Sequence, residues 1–112
     1  LGDVYKRQPN ILGWDILRNH TTAFVSCPDW VTARGMRTLG APEKGDPRVI
    51  SGESGAVTTG LVETLMLDPE YAELKELIGL DKTSSVLCFS TEGDTDPDQY
   101  RRIVWEGEYP TC

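Results

Sequence analysis

Histidine occurs once in this chain and cysteine three times, basic residues (11) are outnumbered by acidic ones (18), and no apolar run is long. Each scarcity removes a class of function. Cys27, Cys88 and Cys112 form no CxxC pair, so neither a zinc site nor a disulfide framework has its ligands, and His20 alone adds little. Free thiols, buried or terminal, are expected. A net charge of −7 and a pI near 4.6 leave no lysine- and arginine-rich face to displace counterions, which argues against nucleic acid and anionic lipid as partners. Crossing a bilayer takes roughly 20 consecutive apolar residues, and the N-terminal stretch lacks the basic-then-apolar pattern of a secretory signal. A cytoplasmic protein is expected. Neither GxGxxG nor GxxxxGK[ST] occurs, so dinucleotide and Walker-type sites have no support. Repeats and low-complexity segments are absent as well.

A chain of 112 residues makes at most one domain. At this size folding buries roughly two thirds of the surface that the unfolded chain exposes, so the core is thin. Residues 1–8 stand apart. Their stretch DVYKRQ resembles the in-frame translation of a transposon end used in sequencing-library preparation, so 1–8 is set aside as a non-native scar. On that reading the natural sequence is 9–112 and has been cut upstream.

Between residues 13 and 39, Trp14, Ile16 and Leu17, then Val31, Ala33, Met36 and Leu39, recur at helical spacing around a break at Ser26-Cys27-Pro28-Asp29. Two helices are predicted. Pro28 suits the first turn of the second, Ser26 is its candidate cap, and Gly35 inside it costs about 1 kcal/mol relative to alanine. Residues 40–47 read as a surface loop and 48–51 as a strand. A mostly apolar, and therefore buried, helix is predicted over 55–67, and another over 69–78, capped by Asp68 and stopped by Gly79. A second strand at 86–89 and a last helix at 96–104, entered through Asp96-Pro97, complete the pattern. Trp14, Trp30 and Trp105 are expected to pack rather than to form a binding platform.

Strands joined through helices predict a parallel pair in an α/β sheet. Parallel sheets are covered on both faces and usually carry four or more strands, so further strands are expected from the remainder of a larger α/β enzyme, of which this chain would be a C-terminal piece. Both predicted strands stop at hydroxyl, carboxylate and glycine residues: Ser51-Gly52-Glu53-Ser54-Gly55-Ala56 after the first, Ser90-Thr91-Glu92-Gly93-Asp94-Thr95-Asp96 after the second. Parallel strands end in this way at a ligand crevice, and the amides opening the following helices favour negative charge. One shared site is expected.

Two familiar chemistries fail on these motifs. Gly52–Ala56 has the outline of the GxSxG nucleophile elbow with Ala56 for the last glycine, yet no histidine follows Ser54 to serve as base. The alternate carboxylates Asp94, Asp96 and Asp98 suggest a calcium loop, but Gln99 stands where glycine is needed and Glu106 falls one place late, so no metal site is assigned. An acidic first helical turn accounts for Asp96 and Asp98.

Taken together, residues 51–56 (SGESGA), 89–96 (FSTEGDTD), 100–107 (YRRIVWEG) and 24–40 (FVSCPDWVTARGMRTLG) resemble the C-terminal part of the diaminopropionate ammonia-lyase family. The resemblance implies a pyridoxal phosphate enzyme of the tryptophan-synthase-β type, called fold type II, in which this chain is the C-terminal portion of the large domain. A few parallel strands covered by helices are the fold it implies. The implied activity is α,β-elimination of 2,3-diaminopropionate, a small amino acid, to pyruvate and ammonia, and the implied complete enzyme is a homodimer. Ser90, with Thr91 as the alternate, stands where such enzymes place a hydroxyl on the cofactor's pyridine nitrogen. Gly52 and Glu53 stand on the loop that approaches the ring's phenolic side. The Schiff-base lysine has no counterpart: Lys44 and Lys82 are read as loop residues and Lys75 as outward-facing, so no catalytic residue is assigned and the chain alone is expected to be inactive. A non-catalytic α/β binding or regulatory module that retains the fold is the competing reading.

Overall fold

Apolar residues three and four apart produce five α-helices among the described residues, 11–110, of the computed structural model. They are α1 (Ile11–His20), α2 (Asp29–Gly40), α3 (Glu53–Leu67), α4 (Ala72–Ile78) and α5 (Pro97–Val104), with a 3-10 turn, Pro69–Tyr71, leading into α4. The readings made for residues 1–8 and for Cys112 lie outside the described residues. Helix ends follow local chemistry. The Asp96 side chain accepts from the Gln99 backbone N–H at 3.2 Å and caps α5. Gly79, at φ +87°, closes α4 in the left-handed region and donates to the Lys75 and Glu76 carbonyls. Pro28, rather than Ser26, is the N-cap of α2, because its extended backbone leads straight into the helix and its carbonyl accepts from Val31 at 3.0 Å.

The predicted pair of parallel strands is not formed among the described residues, whose regular elements are all helical, so the strand part of the α/β expectation has no support from this chain alone. Residues 48–51 and 85–90 are neither helix nor strand. Their backbone contacts tie ends together instead of building a ladder: Val49 N–H donates to Leu39 O at 2.8 Å and Gly52 N–H to Glu92 O at 3.0 Å. A parallel strand needs a neighbour for its N–H and C=O groups and cover on both faces. Residues 85–90 have no such cover; Val86, Leu87 and Phe89 are 49%, 77% and 70% exposed.

Two glycines set the packing. Gly35 in α2 and Gly60 in α3 are buried where the helices cross, and a methyl group on either would overlap the opposing backbone: the Ala56 carbonyl for Gly35, the Val31 carbonyl for Gly60. Ala56, Gly60 and Thr64, four residues apart, form the small-residue row on α3 that admits α2 at this distance. Most of the larger apolar side chains of α3 lie elsewhere on it. Leu65 is buried beside the row, but Leu61, Val62 and Met66 are half-buried and Leu67 is exposed, so the helix expected to be buried is buried on one face only. Below the crossing, Ala33 and Met36 of α2, Ala56 of α3 and Tyr100 and Ile103 of α5 form the core, with Leu39, Val104 and Tyr109 against it. The tryptophans do not join it: Trp30 is half-buried, Trp14 pairs with Phe24 at a ring-centroid distance of 6.4 Å, and Trp105 is 75% exposed.

Arg34 fastens the far end of the crossing. Its guanidinium donates to both Asp68 oxygens at 3.0 and 3.1 Å and to Thr64 Oγ1 at 3.3 Å, with Glu63 at 3.6 Å. Asp68 was the predicted cap for the following helix, and it stands at that N-cap position, but its carboxylate makes no capping bond. A partly buried guanidinium is the stronger attraction.

Two outcomes follow from this packing. Gly35→Ala and Gly60→Ala each gain about 1 kcal/mol of helix propensity and should nevertheless lose about 3 kcal/mol net, because backbone has to move; urea titration of the helical circular dichroism measures it. A neutral or positive effect would mean that the helices do not cross this closely. Asn caps as well as Asp, so if Asp68 acts through Arg34 then Asp68→Asn should destabilise by about 1 kcal/mol, as much as Asp68→Ala. Full retention of stability by the asparagine variant would restore the capping role.

Candidate functional site

The crossing of α2 and α3 carries the first motif to the edge of the core, where the second meets it. Gly52 is the N-cap of α3, and its N–H bonds to Glu92 O while a Cβ there would stand 2.6 Å from Gly93 O and 2.9 Å from Glu92 Cγ. Only glycine lets the two backbones approach in this way. Ser90 Oγ donates to Ser51 Oγ at 3.0 Å, and Ser51 Oγ reaches Gly52 O at 3.1 Å. Gly55 makes room for the pair: its missing Cβ would lie 2.5 Å from Ser51 Oγ and 3.0 Å from Ser90 Oγ. The two motifs 39 residues apart, expected to share one site, are brought together.

A cleft of about 490 Å³ opens beside this junction. Glu53 and Ser54 from the first turn of α3 form one wall, Glu92, Asp94 and Asp96 another, and Tyr109 closes a side. Tyr109 is held there with φ 57°, a conformation unfavourable for a non-glycine residue, by Arg37, which donates to its carbonyl at 3.2 Å, to the Glu108 carbonyl, and through Nε to Ile103 O at 3.0 Å. A second cleft of about 470 Å³ lies on the other side of Glu53 and Ser54, against Ser26, Cys27, Asp29 and Thr32. Glu53 therefore sits on a ridge between two openings. Cys27 and Cys88 are free and half-buried, and burial pushes the Cys27 thiol above its ordinary value.

Of the residues singled out from sequence, Gly52 and Glu53 line the first cleft; Ser90 stands just outside its wall, tied to Ser51, and Thr91 is exposed. Ser51 and Tyr109 were missed. For Ser51 a signal existed, since it ends a predicted strand directly before the glycine turn. For Tyr109 none did, because its place depends on Arg37, 72 residues away.

The junction's chemistry suits part of a pyridoxal phosphate and not all of it. A hydroxyl that can donate or accept, flanked by residues without side chains, fits the edge of a pyridine ring. The phosphate does not fit the cleft. Glu53, Glu92, Asp94 and Asp96 line it and no lysine or arginine does. A phosphate there would meet carboxylates on two walls and no positive charge on any.

The comparisons with known proteins agree with the motifs. No protein-family profile matches the chain. Diaminopropionate ammonia-lyase from Escherichia coli strain K12 is 53% identical over 102 residues, 91% of this chain, and that from Salmonella typhimurium strain LT2 is 48% identical over 101 residues. The E. coli enzyme's crystal structure in complex with D-serine superposes with a TM-score of 0.86 at 52% identity, covering 93% of this chain. Over 91% of its length the chain is similar to one part of diaminopropionate ammonia-lyase. It spans about a quarter of those relatives: 26% of the E. coli sequence and 27% of the D-serine complex. The ammonia-lyase of E. coli has also been crystallised with an aminoacrylate-PLP azomethine reaction intermediate, and that structure matches this chain at the same TM-score of 0.86. No helix among the described residues is long and apolar enough to cross a membrane.

Proposed function

We propose that this chain is the C-terminal portion of the large domain of a cytoplasmic, homodimeric, pyridoxal-phosphate-dependent ammonia-lyase that eliminates ammonia from 2,3-diaminopropionate, and that the chain by itself is inactive. The supporting observation is 53% identity sustained over 91% of the chain, with both site motifs inside it. On this reading residues 48–51 and 86–89 are strands of a parallel sheet whose other members belong to the rest of the enzyme, and residues 1–8 are a scar. Bound pyridoxal phosphate supplies the electron sink for reaction at the substrate α-carbon. The chain supplies one edge of its site. Ser90 meets the ring nitrogen with a neutral hydroxyl, which, unlike a carboxylate, does not enforce a proton there. Gly52 brings the backbone close to the ring, and Glu53 orients the polar groups on the phenolic side. The first-turn amides of α3 favour negative charge at that edge. The phosphate and the carbonyl end are held by residues elsewhere in the enzyme, in keeping with the acidic cleft.

A self-sufficient binding or regulatory module is the poorer reading. Leu87 and Phe89, at 77% and 70% exposed, sit in one short run with Val86, and a finished small domain buries such a row. The proposal is tested by incubating the 112-residue chain with pyridoxal phosphate, reducing with borohydride and weighing the intact protein. No stoichiometric adduct is expected, because no lysine lines the cleft. One adduct per chain at a single lysine would contradict it. In a hybrid enzyme, E. coli diaminopropionate ammonia-lyase with its matching segment replaced by this sequence, Glu53→Gln should lower turnover several-fold and leave cofactor content unchanged; equal turnover would reduce Glu53 to a helix-terminal charge.

A further inference from the structure

We propose that Ser51 is the positioning residue for Ser90, an inference that rests on the reading of Ser90 as the partner of the ring nitrogen. Ser51 is fully buried, and a buried hydroxyl needs both its proton and its lone pairs used. The junction satisfies this in two ways. In one, Ser90 donates to Ser51 across 3.0 Å and Ser51 donates to Gly52 O at 3.1 Å, leaving Ser90 lone pairs directed outward. In the other, Ser51 donates to Ser90, the Ser90 proton turns outward, and Gly52 O keeps the N–H of Ala56 at 3.0 Å. No buried group is orphaned in either. Ser90 can therefore accept from a protonated ring nitrogen or donate to a bare one, and Ser51 sets its place in both cases. Little else holds the Ser90 hydroxyl, since the Glu92 carbonyl is 3.5 Å away, at the limit of a hydrogen bond. The space that Gly55 leaves open fits the two hydroxyls and no extra carbon, so Ser51 has few other positions to take.

The inference is tested in the hybrid enzyme through the double-mutant cycle of Ser51→Ala, Ser90→Ala and both. Three readouts are needed: the dissociation constant for pyridoxal phosphate, the pH titration of the bound cofactor's absorbance, and the thermal melt of the cofactor-free protein. Ser51→Ala should weaken cofactor binding about tenfold and displace the absorbance titration while the cofactor-free melt stays unchanged. In the Ser90→Ala background the same substitution should have no effect, because its route is gone. An equal loss in both backgrounds overturns the positioning role and leaves the Ser90 reading intact, as does full affinity in Ser51→Ala beside weakened Ser90→Ala. Unchanged affinity and spectrum in Ser90→Ala overturns the Ser90 reading and the inference with it. Should Ser51→Ala lower the melt, Ser51→Cys, which fills the slot but donates weakly, is read in the same cycle with the same outcomes.

Discussion

The close crossing of α2 and α3 is the constraint on which the rest of the structure depends. Gly35 and Gly60 let each helix's backbone stand against a carbonyl of the other, Ala56 O and Val31 O, with no room for a side chain between. That distance fixes where α3 begins, hence where Gly52 and Glu53 stand. It also fixes the slot beneath α2 that Ala56, Tyr100 and Ile103 fill, and so the position of α5. Arg34 locks the far end of the crossing to Asp68, and Arg37 ties α2 to α5 and the segment after it through the carbonyls of residues 103, 108 and 109. Two arginines one helical turn apart thus tie α2 to α3 on one side and to α5 on the other.

From this frame the functional reading follows through a short chain of contacts. The start of α3 presents a glycine turn, that turn accepts the loop after residue 90, and the loop delivers a serine hydroxyl onto a buried one. The arrangement has hydroxyls and the first turn of α3 at one edge and carboxylates over the cleft beside it. Its charge is wrong for a phosphate and its hydroxyls are right for a ring nitrogen. The proposed reading accounts for the split: the chain, about a quarter of the length of its ammonia-lyase relatives, would carry one side of a cofactor site and the remainder of the enzyme the other.

Helix positions were legible in the sequence because they depend on local signals: the 3.6-residue spacing of apolar side chains, Asp96-Pro97 at one start, Gly79 at one stop. The convergence of the two motifs was legible too, through the shared way in which both runs end. What was not legible depends on distant partners. Gly35 was read only as a weak point in a helix, since its value lies in Gly60, 25 positions away and on another helix. Asp68 looked like a cap because its pairing with Arg34 has no local signature. The strands were read from short apolar runs, Ile50 and Val86 to Phe89, and such runs become strands only beside others; here they lie bare.

The account's central claim is that the two motifs form one edge of a pyridoxal phosphate site, and the crystal structure of the hybrid enzyme with its cofactor tests it most directly. The expected result places Ser90 Oγ within hydrogen-bond distance, about 3 Å, of the ring nitrogen, with Ser51 behind it and residues 86–89 paired in a sheet. A cofactor whose ring nitrogen faces Thr91, or lies away from both motifs, would contradict it.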